Sequence, residues 1–133
     1  MTWDFGTRSG SFEISQFDTA HFEGGLTFNG PMCAPGVTSC GTTSDGKAWT
    51  TPGGNHFGGP LTGTLPDFGP GSTIDRNLEG FALGSFVRGP TDFSTSGQAI
   101  SGSVPQGVIG NWGVGNDRYM ASGIFGGTLK PNL

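Results

Sequence analysis

The two histidines are the residues of this chain best suited to chemistry. His21 and His56 stand in matching phrases, His21-Phe-Glu-Gly-Gly-Leu-Thr27 and His56-Phe-Gly-Gly-Pro-Leu-Thr62, 35 positions apart. Brought together with Glu23, Asp18 or Asp75, two imidazoles would form a metal site or an acid/base pair. Kept apart, they are half-exposed rings at strand starts, and nothing in the spacing gathers these groups. The echo then means that two strands meet the same structural constraint, since a repeat architecture needs further copies. Gly41-Thr-Thr-Ser-Asp-Gly46-Lys47-Ala48 nearly spells a phosphate-binding loop. Ala48 lacks the hydroxyl that would hold Mg²⁺, and Trp49-Thr-Thr-Pro-Gly cannot open a long helix, so the phrase predicts an Asp45-Gly46 turn. There is no Gly-x-Ser-x-Gly elbow, His-Glu-x-x-His pair or calcium loop. The ten Asp and Glu leave a carboxylate pair for glycoside chemistry open, because their spacing in space is not in the sequence. The balance predicts no enzyme, no metal and no cofactor, with a small barrel enzyme using His21 or His56 as the remotest alternative.

Cys33 and Cys40 flank Ala-Pro-Gly-Val-Thr-Ser. The spacing predicts a disulfide pinning a long hairpin loop, which fits an oxidising compartment; two free thiols is the other reading. A metal site is disfavoured, because neither histidine adjoins the pair. Net charge is −4, and the six cations Arg8, Lys47, Arg76, Arg88, Arg118 and Lys130 are scattered. Phosphate backbones are held by clustered cations, so nucleic acid is excluded as a partner class. No apolar 20-mer or secretory leader is visible, so no membrane span is expected. With a disulfide, that absence predicts a mature fragment or excised domain of a larger exported protein.

The aromatics are the remaining resource. Trp3, Trp49, Trp112, Tyr119 and eleven Phe exceed what a domain of this size needs. They either fill the interior or form a cavity or surface patch. The filled interior is favoured, with Phe and Trp taking the volume that glycine vacates. Trp49, Trp112, Tyr119 and Phe93 are the candidate binding residues, toward a protein partner or, as the alternative, a small apolar ligand.

These groups must be positioned by strands. Glycine takes 27 of 133 positions and recurs inside apolar alternating segments such as Phe57-Gly-Gly-Pro-Leu-Thr-Gly-Thr-Leu65. Residues without Cβ let strands bend sharply and approach closely. Period-two alternation places Trp3 with Phe5, Phe12 with Ile14 in Ser11–Phe17, and Phe22 with Leu26 and Phe28. Further strands are read at Lys47–Thr51 with Trp49, Leu61–Leu65, Gly80–Arg88, Gln98–Val104, Val108–Val114 and Arg118–Leu129. Thr7–Gly10 reads as a turn, Asn29–Thr43 as loop, and Gly115-Asn-Asp117 as a turn demanding positive φ. Thr73–Glu79 is the single candidate for a helical turn. The pattern predicts one all-β domain over 1–133: a small antiparallel up-and-down β-barrel of about eight strands, with little or no helix. Closure would also remove edges in a chain with few charges to guard them.

Two long phrases carry a family resemblance. Gly80-Phe-Ala-Leu-Gly-Ser-Phe-Val-Arg-Gly-Pro90, followed by Asn111-Trp-Gly-Val-Gly-Asn-Asp-Arg-Tyr-Met-Ala-Ser-Gly-Ile-Phe-Gly-Gly127, resembles the end of the β-barrel domain of transferrin-binding-protein-like bacterial surface proteins. It is similar also to the C-terminal barrel of some FecR-type envelope proteins. Trp3-Asp-Phe-Gly-Thr-Arg-Ser-Gly-Ser-Phe-Glu-Ile-Ser-Gln-Phe-Asp18 looks like the opening hairpin of that barrel. The likeness covers about half the chain and is structural, not catalytic. Thr91-Asp-Phe-Ser-Thr-Ser-Gly97 stands where that family has an acidic Ala-x-Glu-x-Gly-Gly stretch. The resemblance implies an eight-stranded envelope or extracellular barrel, without enzymatic activity, that supports binding or assembly. It transfers no ligand-contact residue and no link to transferrin or iron. The loops Asn29–Thr43 and Gly89–Gly97 are the expected contact surfaces.

Overall fold

A computed structural model describes residues 1–38, 40–43, 45–87, 92–93, 99–100 and 107–128. Among these residues nine strands follow one another: β1 (Thr2–Asp4), β2 (Ser9–Phe17), β3 (Leu26–Cys33), β4 (His56–Thr64), β5 (Asn77–Val87), β6 (Asp92–Phe93), β7 (Ala99–Ile100), β8 (Gly107–Gly115) and β9 (Met120–Thr128). Seven of them form one antiparallel sheet in the order β1-β2-β3-β4-β5-β8-β9, while β6 and β7 pair as a separate short hairpin. The main sheet is an up-and-down meander, curled into a half-barrel, with no helix among the described residues.

The curl brings the two ends of the sheet face to face through side chains. Phe12 of β2 meets Phe125 of β9 with ring centroids 4.7 Å apart. Phe17 of β2 stands edge-on to Trp112 of β8 at 5.1 Å. Among the described residues no ladder joins β1 or β2 to β9. The seam is therefore sealed by rings and not by backbone hydrogen bonds.

A single interior results. Phe12, Leu26, Phe28, Met32, Phe57, Leu61, Leu78, Ala82, Trp112 and Val114 are buried in it, and among the described residues no polar side chain is. One pattern recurs in the packing: six aromatics stand opposite a glycine on the neighbouring strand, whereas Phe17 faces Leu26 and Phe86 faces Val108. The pairs are Trp3↔Gly10, Phe12↔Gly30, Phe28↔Gly63, Phe57↔Gly84, Phe125↔Gly110 and Trp112↔Gly123. A Cβ on Gly84 would run into the Phe57 ring, one on Gly110 into Phe125, and one on Gly123 would come 2.7 Å from the Trp112 indole nitrogen. The rings of Phe28, Phe57, Phe125 and Trp112 lie over the backbone that their facing glycines leave bare, a pairing that also pins register. The aromatics thus take the space vacated by glycine.

Two Gly-Pro dipeptides cross between β3 and β4. The register Phe28↔Gly63, Asn29↔Thr62, Cys33↔Gly58 lapses in between, where Pro31 and Pro60 supply no N–H. The backbones press together there instead. A Cβ on Gly30 would strike the Pro60 carbonyl, and one on Gly59 the Pro31 carbonyl.

Several sequence expectations need correction. Asn29–Cys33 continues β3 and is not loop. Trp49 lies outside any strand, next to an isolated Thr42↔Ala48 bridge, so the predicted strand at Lys47–Thr51 is absent. Phe22 sits in the β2–β3 turn rather than on a strand with Leu26 and Phe28. Thr73–Glu79 is not helical: Asp75 accepts a hydrogen bond from the Asn77 amide, and β5 begins there. The β8–β9 turn needs no positive φ. The Asn116 carboxamide oxygen accepts from the amides of Arg118 and Tyr119, closing the turn with ordinary backbone. Of the expected strand Gln98–Val104, only Ala99–Ile100 is within the described residues.

Candidate functional site

The meander places alternate connections at opposite ends. The β2–β3 turn, the β4–β5 loop and the β8–β9 turn share one end; the β1–β2 turn and the excursion 34–55 share the other. This separates the histidines. His21 lies in the β2–β3 turn, whereas His56 opens β4 near Cys33, at the far end of β3. The seven residue steps from Leu26 to Cys33 alone span about 23 Å at ~3.3 Å per step. A shared site for the two imidazoles is therefore ruled out. The echoed phrases instead supply core residues on adjacent strands: Leu26 and Leu61 are both buried.

His21 does join a small polar cluster. Its Nδ1 lies 2.7 Å from Asp18 Oδ1, and the Tyr119 hydroxyl donates to Asp18 Oδ2, also at 2.7 Å. The Asp18 carbonyl accepts from the amides of His21 and Phe22, and the Phe22 ring stands edge-on to Tyr119 at 5.5 Å. The cluster ties the β2–β3 turn to the β8–β9 turn, which the sheet itself leaves unpaired. Its hydrogen bonds from Tyr119 first, then His21, hold the Asp18 carboxyl below its ordinary value. Burial first, and then the Asp18 hydrogen bond and charge, push the Tyr119 phenol up to about 12. The tie is accordingly complete above the ordinary carboxylate range and weakens as pH falls through the lowered Asp18 value. At the other extreme it is complete below the free phenol value, ~10, and is lost as pH rises through about 12. Tyr119 is the single tyrosine, so phenolate absorbance reads it alone. The expected midpoint lies near 12, and Asp18→Ala should lower it, leaving the part due to burial. A midpoint unmoved by that substitution would show that the tie does not form in solution.

At the opposite end Cys33 and Cys40 are disulfide-bonded, with Cα atoms 6.0 Å apart. The bridge folds the excursion 34–55 back over the outer face of β4 and β5. The Thr51 hydroxyl donates to the Cys33 carbonyl and accepts from the Trp49 indole N–H. Trp49, half-buried, lies over Phe81 at 6.2 Å. The Asp45-Gly46 turn forms as read, with the Gly46 amide donating to the Thr43 carbonyl and Gly46 at φ 80°. It presents no phosphate cradle opening a helix.

The four candidate binding residues scatter. Trp112 is buried in the core, so it packs and does not present a surface. Tyr119 is committed to Asp18. Trp49 supports the disulfide lobe and borders the outer face. Phe93 lies in β6 with Asp92; their side chains and the remaining residues of Gly89–Gly97 fall outside the described residues.

Alternation along the single strands missed a surface that only the register assembles. Phe81 of β5, Ile109 of β8, and Met120 and Ile124 of β9 are exposed on the outer face, Ile124 at 89% and Met120 at 84%. Neither β8 nor β9 carries a charged residue, and β5 carries only Glu79. The opposite flank differs, with Ser11 and Glu13 of β2 and Thr27 and Asn29 of β3 outward. The signal available in sequence was the lack of charge across 107–115 and 120–128.

Two depressions indent the molecule. An open groove of about 680 Å³ at the Tyr119 end is lined largely by polar groups, among them Thr27, Asn29, Thr62, Arg76 and Glu79. A cleft of about 250 Å³ runs along the seam between Trp3, Phe12, Val108 and Phe125. Among the described residues no three His, Cys, Asp or Glu side chains gather as metal ligands. No helix among them is long and apolar enough to cross a membrane. Comparison of the chain with protein-family models, curated proteins and solved structures returns no match.

Proposed function

We propose that this chain is a non-enzymatic β-barrel domain of the cell envelope or extracellular space that works through protein contact or assembly. One observation carries the reading: the outer face of β5, β8 and β9, where Phe81, Ile109, Met120 and Ile124 are exposed and Glu79 is the single charge on these strands. Large exposed apolar patches on small domains mark interaction surfaces. The Cys33–Cys40 bridge belongs to a non-reducing environment and supports export. The resemblance to envelope barrels points the same way. The carrier reading draws no support from the interior, where rings in mutual contact occupy the middle of the half-barrel.

The test is site-specific photo-cross-linking in the producing cells. A benzophenone side chain at Ile109 should give discrete protein adducts, while one at Glu13, on the polar flank of β2 and β3, should not. Identical patterns from both positions, or none from Ile109, would remove the proposal.

A further inference from the structure

The groove at the Tyr119 end lies on the outside of the sheet, where β3, β4 and β5 run side by side. Alternation and register build its floor. Leu26, Phe28 and Leu78 are buried on the inward face, so Thr27, Asn29, Asn77 and Glu79 point outward. The ladders set Asn29 beside Thr62, Thr62 beside Glu79, and Thr64 beside Asn77. The β3–β4 register, carried one residue on, sets Thr27 beside Thr64. Two rows of three result, Asn29-Thr62-Glu79 and Thr27-Thr64-Asn77. Neighbours are about 4.8 Å apart along a row and about 6.7 Å between rows. All six residues are exposed and line the groove.

The fold does not use these side chains. Among the described residues none of the six takes part in a side-chain hydrogen bond or ion pair. The wall at the loop end is fixed instead. The Leu65 amide donates to the Arg76 carbonyl at 2.8 Å, and the Arg76 Nε–H donates to the Leu65 carbonyl at 2.9 Å. The Asn116 carboxamide nitrogen donates to the carbonyls of Asp75 and Asn77. Pro66 adds an exposed apolar ring beside them. A hollow of about 680 Å³ is of the size that holds small ligands. A wall already held in place loses little freedom on binding.

The lining also selects the ligand. A threonine hydroxyl donates and accepts, and an asparagine amide does both through separate atoms. Such a grid suits a molecule that offers hydroxyls at repeated intervals. Arg76 and Glu79 offset each other, so no net charge selects a phosphate or sulfate. Pro66 is the one exposed apolar side chain in the lining, too little for a lipid chain. A peptide strand would need a sheet edge, and β3, β4 and β5 are paired on both sides. We infer that the outer groove of β3–β5 is a binding site for an uncharged oligosaccharide, whose hydroxyls bond to Asn29, Thr62 and Thr64. The site is apart from Ile109, Met120 and Ile124, so it goes beyond the contact reading and does not rest on it.

The test follows the amide resonances of the isotope-labelled full chain by nuclear magnetic resonance. Maltohexaose, mannohexaose, N-acetylchitohexaose and a heparin hexasaccharide are added separately to about 10 mM, where a millimolar complex is mostly formed. At least one of the three neutral probes should shift the amides of Asn29, Thr62, Thr64 and Asn77 saturably and leave those of Ile109 and Ile124 in place. Thr62→Val keeps the side-chain shape and removes the central hydroxyl, and Asn29→Ala removes its neighbour. Each should raise Kd about fivefold, the worth of one hydrogen bond, while the rest of the spectrum stays as in the parent. Ile109→Lys should leave Kd unchanged. No saturable shift in the groove with any neutral probe, shifts with the heparin fragment alone, or an unchanged Kd in both groove variants would overturn the site. Absent protein adducts from Ile109 would remove the contact reading and leave this one standing.

Discussion

Gly84→Ala is expected to destabilise the domain by about 3 kcal/mol, the upper range for overpacking a filled core. Gly84 has no unusual φ, so the effect is one of space. The new methyl would meet the Phe57 ring on one side and stand 2.9 Å from the Ile109 carbonyl on the other. Phe57 is fully buried among Trp3, Phe86 and Phe125 and has nowhere to retreat. Phe57→Leu trims the side of the clash that a side chain can relieve. The double variant should accordingly be less destabilised than the sum of the singles by about 1 kcal/mol or more, as coupled neighbours are. Urea unfolding of the four proteins measures this directly. Strict additivity would mean that the ring does not lie on the glycine.

Removing the disulfide as Cys33→Ala/Cys40→Ala should cost about 2–3 kcal/mol, from the chain entropy that so short a loop withholds from the unfolded state. The thermal midpoint should fall by roughly 10 °C. The loss should begin locally. The bridge holds the excursion 34–55 against β4 and β5, and its one trypsin site is Lys47. Native-state cleavage after Lys47 should become rapid in the variant while the Tyr119 hydroxyl keeps its bond at the other end. Cleavage as slow as in the parent would show that Trp49 and Thr51 hold the lobe unaided.

The strands were legible wherever alternation was strong and glycine punctuated it: β2, β5, β8 and β9 fall close to their predicted positions. Glycine spread through regularly spaced alternating segments pointed to an up-and-down barrel with rings filling its interior, and the described sheet is such a meander curled into half a barrel. The misses have physical causes. Asn29–Cys33 holds Gly30 and Pro31, both marks of a loop in isolation, yet the facing Gly59 and Pro60 make room for them inside the sheet. Trp49 resembles a strand residue because it is apolar and flanked by Thr, but it packs on Phe81 from a loop closed by Cys33 and Cys40. Trp112 looked available for binding because abundance was the only guide; its partner Gly123 lies in the next strand, and only register shows the pairing. The outer face was hidden for the same reason: Phe81, Ile109 and Ile124 come from three strands and share no local pattern. The histidines echoed convincingly because both phrases must deliver a leucine to the same core, an equivalence of packing and not of chemistry.

The Gly-Pro crossing divides the sheet into two panels of unequal cohesion. β4, β5, β8 and β9 are stitched by continuous ladders, whereas β3 and β4 exchange few main-chain bonds and rest largely on close contact. Partial opening in native proteins follows the lines of weakest stitching. This molecule should therefore breathe like a book, with β3 against β4 as the spine and the ring-filled seam as the fore-edge. Such a motion would admit solvent to the interior without undoing either cover.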